Sequence, residues 1–293
     1  MKRAIFIILI VLLPASLFAQ IGVGLAINQE SYLLYENIIA KLIIRNHSGK
    51  ALIFSDTNKT DSPQGSVSFI IESPGGIKAD KKNINYNPLV GFVIAPGAEQ
   101  TVLIPVNKLY IIDKPGSYTI KALVSHNQLS ATYESSAASF TIFNGLTVWQ
   151  KELGVPKLYH KEGEVEPLPR TVKILSFYDK KNKYFAIMIE DKEKVYNVRR
   201  IGYDTGNVKP KIETDMLNRT HILLQISPSV YCHYIYDINC DPEEKEVYVK
   251  TDTTPYFAVD PDEGTIMVLG GRKAIKDVDY IEENGVPVLK GDL

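Results

Sequence analysis

Apolar and polar residues alternate with a period of two along most of the chain. In the segment NIIAKLIIRN, which begins at Asn37, four apolar residues at alternate positions fall on one side, and Lys41 and Arg45 fall on the other. This pattern is typical of a β-strand with one buried face. Similar segments recur, separated by turn sequences such as HSGK, SPGG and DKPG. The chain is therefore predicted to be all-β, with neighbouring strands joined as antiparallel hairpins.

The spacing of the strands and the composition of the segments between them divide the chain. Roughly seven strands, about 8–12 residues apart, predict an antiparallel sandwich over residues 20–144. The charged, proline-bearing stretch 145–170 is interpreted as an exposed connector. Residues 171–271 are predicted to form a second antiparallel β domain of blade-like hairpins, and residues 272–293 a polar C-terminal tail.

Residues 1–19 have the layout of a secretory signal peptide. Lys2 and Arg3 precede an apolar run that Pro14 ends, and the small residue Ala19 stands at the expected cleavage position. The apolar run is about ten residues long, whereas a membrane-spanning helix needs about 20. The sequence thus predicts an exported protein, periplasmic or extracellular, with no transmembrane segment after the signal is removed.

Charge and composition narrow the class of partner. The chain contains 33 basic and 34 acidic residues. This balance argues against nucleic-acid binding, which requires a clustered basic face. The 17 tyrosines and single tryptophan fit a chain built mainly of strands.

Three segments of the N-terminal half carry a resemblance to known domains. They are LLYENIIAKLIIRNHSGKALIF, IAPGAEQTV and DKPGSYTIKALV, and their order resembles bacterial immunoglobulin-like envelope domains of the macroglobulin and proteinase-inhibitor types. The resemblance covers Gln20–Asn144 and implies an immunoglobulin-like sandwich. Further segments, ELGVP, DMLNRTHILLQ and PYFAVDPDEGTIMVLGG, are similar to uncharacterised exported bacterial proteins with two β domains, a likeness that implies no activity.

One acidic turn invites a metal interpretation. Asp237, Asn239 and Asp241 match the first half of a calcium loop, in which alternate residues supply oxygen ligands. Pro242 stands where the loop glycine belongs, and Tyr248 stands where a glutamate should close the site. A solvated hairpin turn is therefore favoured over a calcium site.

Cys232 and Cys240 leave three possibilities open: packed free thiols, a disulfide, or a reactive site. If the intervening residues form a continuous strand, the two positions lie about 27 Å apart. Bridged Cα atoms lie within about 7 Å. Free thiols are favoured, facing the same side of the strand as Tyr234.

Aromatic residues are the candidates for a binding surface. Tyr231, Tyr234 and Tyr236 could present an amphipathic face to an envelope protein or a glycan. The alternative is that these rings fill a core. Trp149 either offers an aromatic platform to a ligand or fills the interface between the two domains, and the second role is favoured.

The sequence contains no catalytic or cofactor motif that would identify an enzyme. None of the five histidines forms a zinc-protease motif, and no nucleophile elbow, phosphate-binding loop or dinucleotide fingerprint occurs. Adjacent Cys232 and His233 point to opposite faces of a strand. The predicted function is a non-catalytic binding or structural module of the bacterial cell envelope, without a cofactor. The alternatives are an extracytoplasmic proteinase inhibitor and a wall-polymer hydrolase.

Overall fold

The computed structural model describes residues 20–55, 64–84, 86–160, 167–179, 182–206, 208–283 and 286–290. The predicted signal peptide, residues 1–19, lies outside this range. The fold is all-β, as the alternating pattern predicts, with 55% of the described residues in strands and 3% in helices. Within the described part of the chain, no helix combines the length and apolar composition needed to cross a membrane.

The described residues of the first domain form ten strands and one helical turn. Its elements are β1 (Ile21–Ile27), β2 (Ser31–Leu33), β3 (Ile39–Asn46), β4 (Leu52–Ile53), β5 (Gly65–Glu72), β6 (Val93–Ile94), β7 (Glu99–Pro105), α1 (Val106–Leu109), β8 (Gly116–His126), β9 (Tyr133–Glu134) and β10 (Ala138–Phe143).

These strands form the predicted sandwich. One sheet has the order β1-β3-β7, and the other has the order β2-β10-β8-β5, with β9 pairing with β8. All pairings are antiparallel except that of β2 with β10. Leu42 and Ile44 of the first sheet share one buried core with Ile120 and Val124 of the second. The period-two pattern of β3 therefore correctly identified the buried face.

In the part of the second domain that the structure describes, the chain forms thirteen strands and one 3₁₀ turn. Its elements are β11 (Leu146–Leu153), the 3₁₀ turn (Lys157–Tyr159), β12 (Arg170–Asp179), β13 (Asn182–Glu190), β14 (Val195–Tyr203), β15 (Lys211–Thr214), β16 (Thr220–Gln225), β17 (Val230–Tyr236), β18 (Pro242–Val249), β19 (Tyr256–Val259), β20 (Ile266–Leu269), β21 (Arg272–Lys273), β22 (Tyr280–Glu283) and β23 (Val286–Leu289).

Two antiparallel meanders make up most of this domain. One sheet has the order β11-β12-β13-β14, and the other has the order β15-β16-β17-β18-β21. Ile174 and Ile187 of the first sheet share a buried core with Ile222 and Val247 of the second. The tight polar turns correctly predicted the hairpins within each sheet, whereas β14 does not pair with β15, and β18 pairs with β21 and not with β19.

The structure differs from the sequence-based boundaries at both ends of the second domain. The stretch interpreted as a connector contains β11, which pairs along its length with β12. Only Leu153 of β11 is buried, so this edge strand lacks the alternation by which strands are recognised. The stretch interpreted as a polar tail contains β21 and the β22–β23 hairpin, and Tyr280 is buried in the second core.

The β19–β20 hairpin lies outside the second sandwich. Phe257 and Val268 of this hairpin pack against Leu223, Tyr231 and Tyr248, which line the outer face of the β15–β18 sheet. The hairpin pairs with no other strand among the described residues. It therefore covers one face of the domain through side-chain contacts alone.

A half-buried arginine, Arg200, joins the two domains. The Arg200 guanidinium donates to both carboxylate oxygens of Glu36, at 2.8 and 3.2 Å, and to the Ser31 carbonyl, at 2.6 Å. It also donates to Asp179 at 2.9 Å and lies over the ring of Phe177. Burial opposes its charge, but the hydrogen bonds to the two carboxylates dominate and raise the pKa of Arg200.

Replacing Arg200 by methionine is expected to lower the free energy of unfolding by about 3 kcal/mol, because Glu36 keeps a buried charge, and Asp179 a half-buried charge, without a partner. Urea unfolding followed by circular dichroism measures the loss. The exposed Arg45–Glu99 pair provides the control, since Arg45→Met is expected to cost no more than about 1 kcal/mol. Equal losses in the two variants would contradict the proposed role of Arg200.

Candidate functional site

The acidic turn after β17 is built from its own hydrogen bonds. One carboxylate oxygen of Asp237 accepts the backbone N–H groups of Asn239 and Asp241, at 2.8 and 2.7 Å. Its other oxygen accepts the Asn239 side-chain amide at 3.1 Å. Cys240 adopts a left-handed conformation with φ of 66°, which closes the turn. The oxygens of Asp237 are therefore engaged within the turn.

Two arginines from the facing sheet occupy the remaining acceptors of this turn. Arg170 donates to the Ile238 carbonyl at 2.7 Å and to the Asn239 side-chain oxygen at 2.6 Å. Arg199 donates to the Cys240 carbonyl at 2.7 Å and to Asp241 at 2.9 Å. No cluster of three or more metal-ligating side chains occurs in the described part of the chain. Of the three side chains that match the calcium pattern, Asn239 and Asp241 accept hydrogen bonds from guanidinium groups, and Asp237 accepts them from the turn itself.

Calcium is therefore expected to leave the stability unchanged, whereas Arg170→Met is expected to lower the free energy of unfolding by about 3 kcal/mol through lost hydrogen bonds to a charged donor. Thermal unfolding with calcium and with a chelator tests the first part. A real site at a calcium concentration of 100 times its Kd would add about 2.7 kcal/mol. Such a calcium-dependent gain, or a neutral Arg170→Met, would contradict the guanidinium assignment.

Both cysteines are free and buried in the second core. Cys232 faces the same side as Tyr234 and Tyr236, as the strand parity predicts, while His233 faces the opposite side. Burial raises the pKa of the Cys232 thiol to about 11 and that of Cys240 to about 12. Since the thiolate is the reactive form, these are packing residues.

Neither thiol is expected to react with a thiol-specific reagent at about pH 8 in the native protein, because burial and a raised pKa both suppress the thiolate. In denaturant, two thiols per chain should react, and Cys232→Ala should reduce this number to one. Absorbance of the released chromophore measures the count. Rapid reaction of the native protein, or no reaction in denaturant, would contradict the assignment.

The predicted aromatic binding surface lies inside the domain. Tyr234 and Tyr236 belong to the second core, and Tyr231 is covered by the β19–β20 hairpin. All three are less than 10% exposed, so they offer no face to a partner. Trp149 is half-buried and packs against the second core. It is therefore neither an exposed platform for a ligand nor a residue that fills the interface between the two domains. The alternative of core filling describes these rings.

A pair of buried histidines that was not predicted from the sequence lies on the outer face of the β15–β18 sheet of the second domain. His221 Nδ1 and His233 Nε2 are 3.1 Å apart, and the two rings are stacked. His221 Nε2 lies 3.3 Å from the Asp215 carboxylate, and His233 Nδ1 lies 3.2 Å from Glu246. Four groups thus form a continuous chain from one carboxylate to the other.

Counting protons defines the state that satisfies this chain. Each outer nitrogen needs a proton to donate to its carboxylate, and one more proton must lie between the rings. Three protons on two imidazoles give the His221–His233 pair one positive charge. Burial lowers the pKa of both imidazoles, against the opposing effects of Asp215 and Glu246. The pair therefore titrates as a unit.

The two carboxylates stay charged despite their burial. Burial opposes ionisation of Asp215, but the backbone and side chain of Arg219, together with His221, lower its pKa. Burial also opposes ionisation of Glu246, but hydrogen bonds from Lys273, Tyr248 and His233 lower its pKa to about 2. Anions at both ends therefore hold the imidazole pair in place.

The signal for this pair was present in the sequence. The tight turn SPS joins β16 to β17, which places Ile235 opposite His221 and Leu223 opposite His233. The two histidines are diagonal neighbours on one face, within reach of each other. Only the strand register, and not the spacing of a linear motif, reveals the contact.

An open cleft of about 340 Å³ lies where the two domains meet, and residues 195–197 of β14 form one wall. Tyr35 of the first domain lines it with φ of 69° and a 44% exposed side chain. A left-handed conformation is rare for a bulky residue. Asn107 holds the neighbouring backbone in this shape, since it donates to the Glu36 carbonyl at 3.0 Å and accepts the Ile38 N–H at 3.1 Å.

Comparison with known proteins adds little. No protein-family model and no curated protein matches the sequence. The crystal structure of Spo0M, a sporulation control protein from Bacillus subtilis, is 8% identical, with a TM-score of 0.25 over 62% of this chain and 90% of Spo0M. A likeness this weak carries no argument about fold or function.

Proposed function

We propose that the protein is a non-catalytic binding or structural module of the bacterial cell envelope. The observation that supports this most is Tyr35, an exposed ring held in a strained conformation at the interdomain cleft. Backbone strain in a cleft points to function, because the surrounding structure must stabilise it. Here Asn107 binds the backbone carbonyl of Glu36, the next residue, and Arg200 binds its side chain.

The placement of the reactive side chains favours binding over catalysis. The two cysteines are buried with raised pKa values. The two histidines of the second sheet form hydrogen bonds to each other and to buried carboxylates. A catalytic base must reach a substrate proton, and the β19–β20 hairpin covers these two histidines.

The lining of the cleft favours a wall glycan as the partner. Tyr35 offers an apolar ring face with a polar tip, and Asn37 contributes an exposed amide beside it. Lys82 and Lys108 line the same cleft and could bind sugar hydroxyls or carboxylates. Clefts at domain interfaces are frequent ligand sites.

Purified wall polymer should sediment the protein, and Tyr35→Ala combined with Asn37→Ala should reduce the bound fraction on the order of tenfold, a loss of about 1.4 kcal/mol. Tyr256→Ala is the matched control, because Tyr256 has a similarly exposed ring, at 45%, on the distant β19–β20 hairpin. Binding that the cleft substitutions leave unchanged would exclude this cleft.

Other outcomes separate the rival functions. Soluble fragments released from the polymer would favour a hydrolase, and protection of a protease substrate would favour an inhibitor. Binding to an envelope protein in place of the polymer would retain the module but change its partner. In cells that express the full chain, fractionation should find the protein outside the cytoplasm with Gln20 as its first residue. Cytoplasmic retention would overturn the envelope assignment.

A further inference from the structure

The histidine pair lies directly beneath the β19–β20 hairpin. Phe257 of the hairpin contacts both rings edge-on, with centroid distances of 6.4 Å to His221 and 5.4 Å to His233. The hairpin forms no backbone pairing with another described strand. Its packing on the sheet therefore depends on a small apolar cluster and on the position of these two imidazoles.

A further proton cannot enter the pair without breaking it. The pair satisfies its three hydrogen bonds when it carries three protons. A fourth proton places N–H groups on both His221 Nδ1 and His233 Nε2, which are 3.1 Å apart. Two donors then face each other and two positive charges share a buried site, so the rings must separate.

We propose that His221 and His233 form an acid-sensitive clasp, which holds the β19–β20 hairpin against the second sheet and releases it when the pair takes up this further proton. Separation of the rings removes the surface on which Phe257 rests. The released hairpin uncovers the outer face of the sheet, including Leu223, Tyr231 and Tyr248. This regulation is independent of the glycan proposal for the cleft.

The charged groups around the pair set the direction of the response. They come from three elements, and they are Asp215 and Arg219 beside β16, Glu244, Glu246 and Tyr248 on β18, and Lys273 on β21. The strands of the hairpin present apolar Phe257 and Val268 to this face. The acidic residues of the hairpin lie in its turn, at Asp260, Asp262 and Glu263.

The sign of the effect follows from burial. Burial lowers the pKa of both imidazoles in the docked state, and a free histidine has a pKa of about 6.5. The undocked state therefore binds more protons as the pH falls below about 6.5, and docking weakens with acidification. Above that pH, the undocked histidines hold fewer protons than the docked pair, so docking is strongest near the free value of about 6.5.

Hydrogen exchange of the whole protein at about pH 6.5 and about pH 5 tests the clasp, with labelling times corrected for intrinsic exchange. Amides of Tyr256–Val259 and Ile266–Leu269 are expected to lose protection on the order of tenfold at the lower pH, as for a shift of about one pKa unit. The β12–β13 pair should keep its protection. Unchanged hairpin protection, or equal loss in all strands, would overturn the proposal.

Variants separate the clasp from general acid sensitivity. His221→Gln combined with His233→Gln should make hairpin protection independent of pH, whereas His126→Gln, which alters a buried histidine of the first domain, should retain the wild-type response. Phe257→Ala leaves both imidazoles intact and should leave the hairpin unprotected at both pH values. A wild-type response in either the double glutamine variant or Phe257→Ala would refute the clasp.

Discussion

The guanidinium group of Arg200 is the interaction on which the arrangement of the two domains depends. Its donors reach a carbonyl and a carboxylate of the first domain and a carboxylate of the second. The contact is extended by Leu33, which joins an apolar cluster of the β11–β14 sheet. If Arg200 is removed, the carboxylates of Glu36 and Asp179 keep charges that their low-polarity surroundings do not solvate. The cleft lined by Tyr35 exists only while this junction holds.

The same physical requirement organises the second domain internally. Buried acceptors need donors, and the turn after β17 presents several carbonyl and carboxylate oxygens to the interior. Arg170 and Arg199 supply those donors from the opposite sheet. The arginines thus join the two sheets of the sandwich at the end where a metal-like sequence pattern occurs. Side-chain oxygens that match a calcium pattern can accept hydrogen bonds from arginines and from backbone N–H groups, as they do here, which explains why the short motif was ambiguous.

The outer layer of the second domain is built differently from its core. The core is apolar and continuous, whereas the outer face of the β15–β18 sheet carries a chain of hydrogen-bonded titratable groups under a two-stranded hairpin. A polar network under a cover that has few apolar contacts opens more readily than a core strand. A response to pH can therefore be local, while the two sandwiches persist.

The sequence by itself determined the fold class, the positions of most strands and turns, and the parity of strands such as β3 and β17. These depend on local periodicity and turn chemistry, which act over a few residues. It did not reveal β11, because an edge strand with one buried residue has no alternation to detect. It also could not decide whether Tyr234 faces a core or a partner, since parity does not say which face is covered.

Only the tertiary structure decided the contacts that carry the functional argument. Arg170 and Ile238 are 68 residues apart in sequence, and Arg200 and Glu36 are 164 apart. The histidine pair depends on the register of two strands, and its cover comes from a hairpin farther along the chain. Such contacts arise from the packing of distant segments, and no local pattern encodes them.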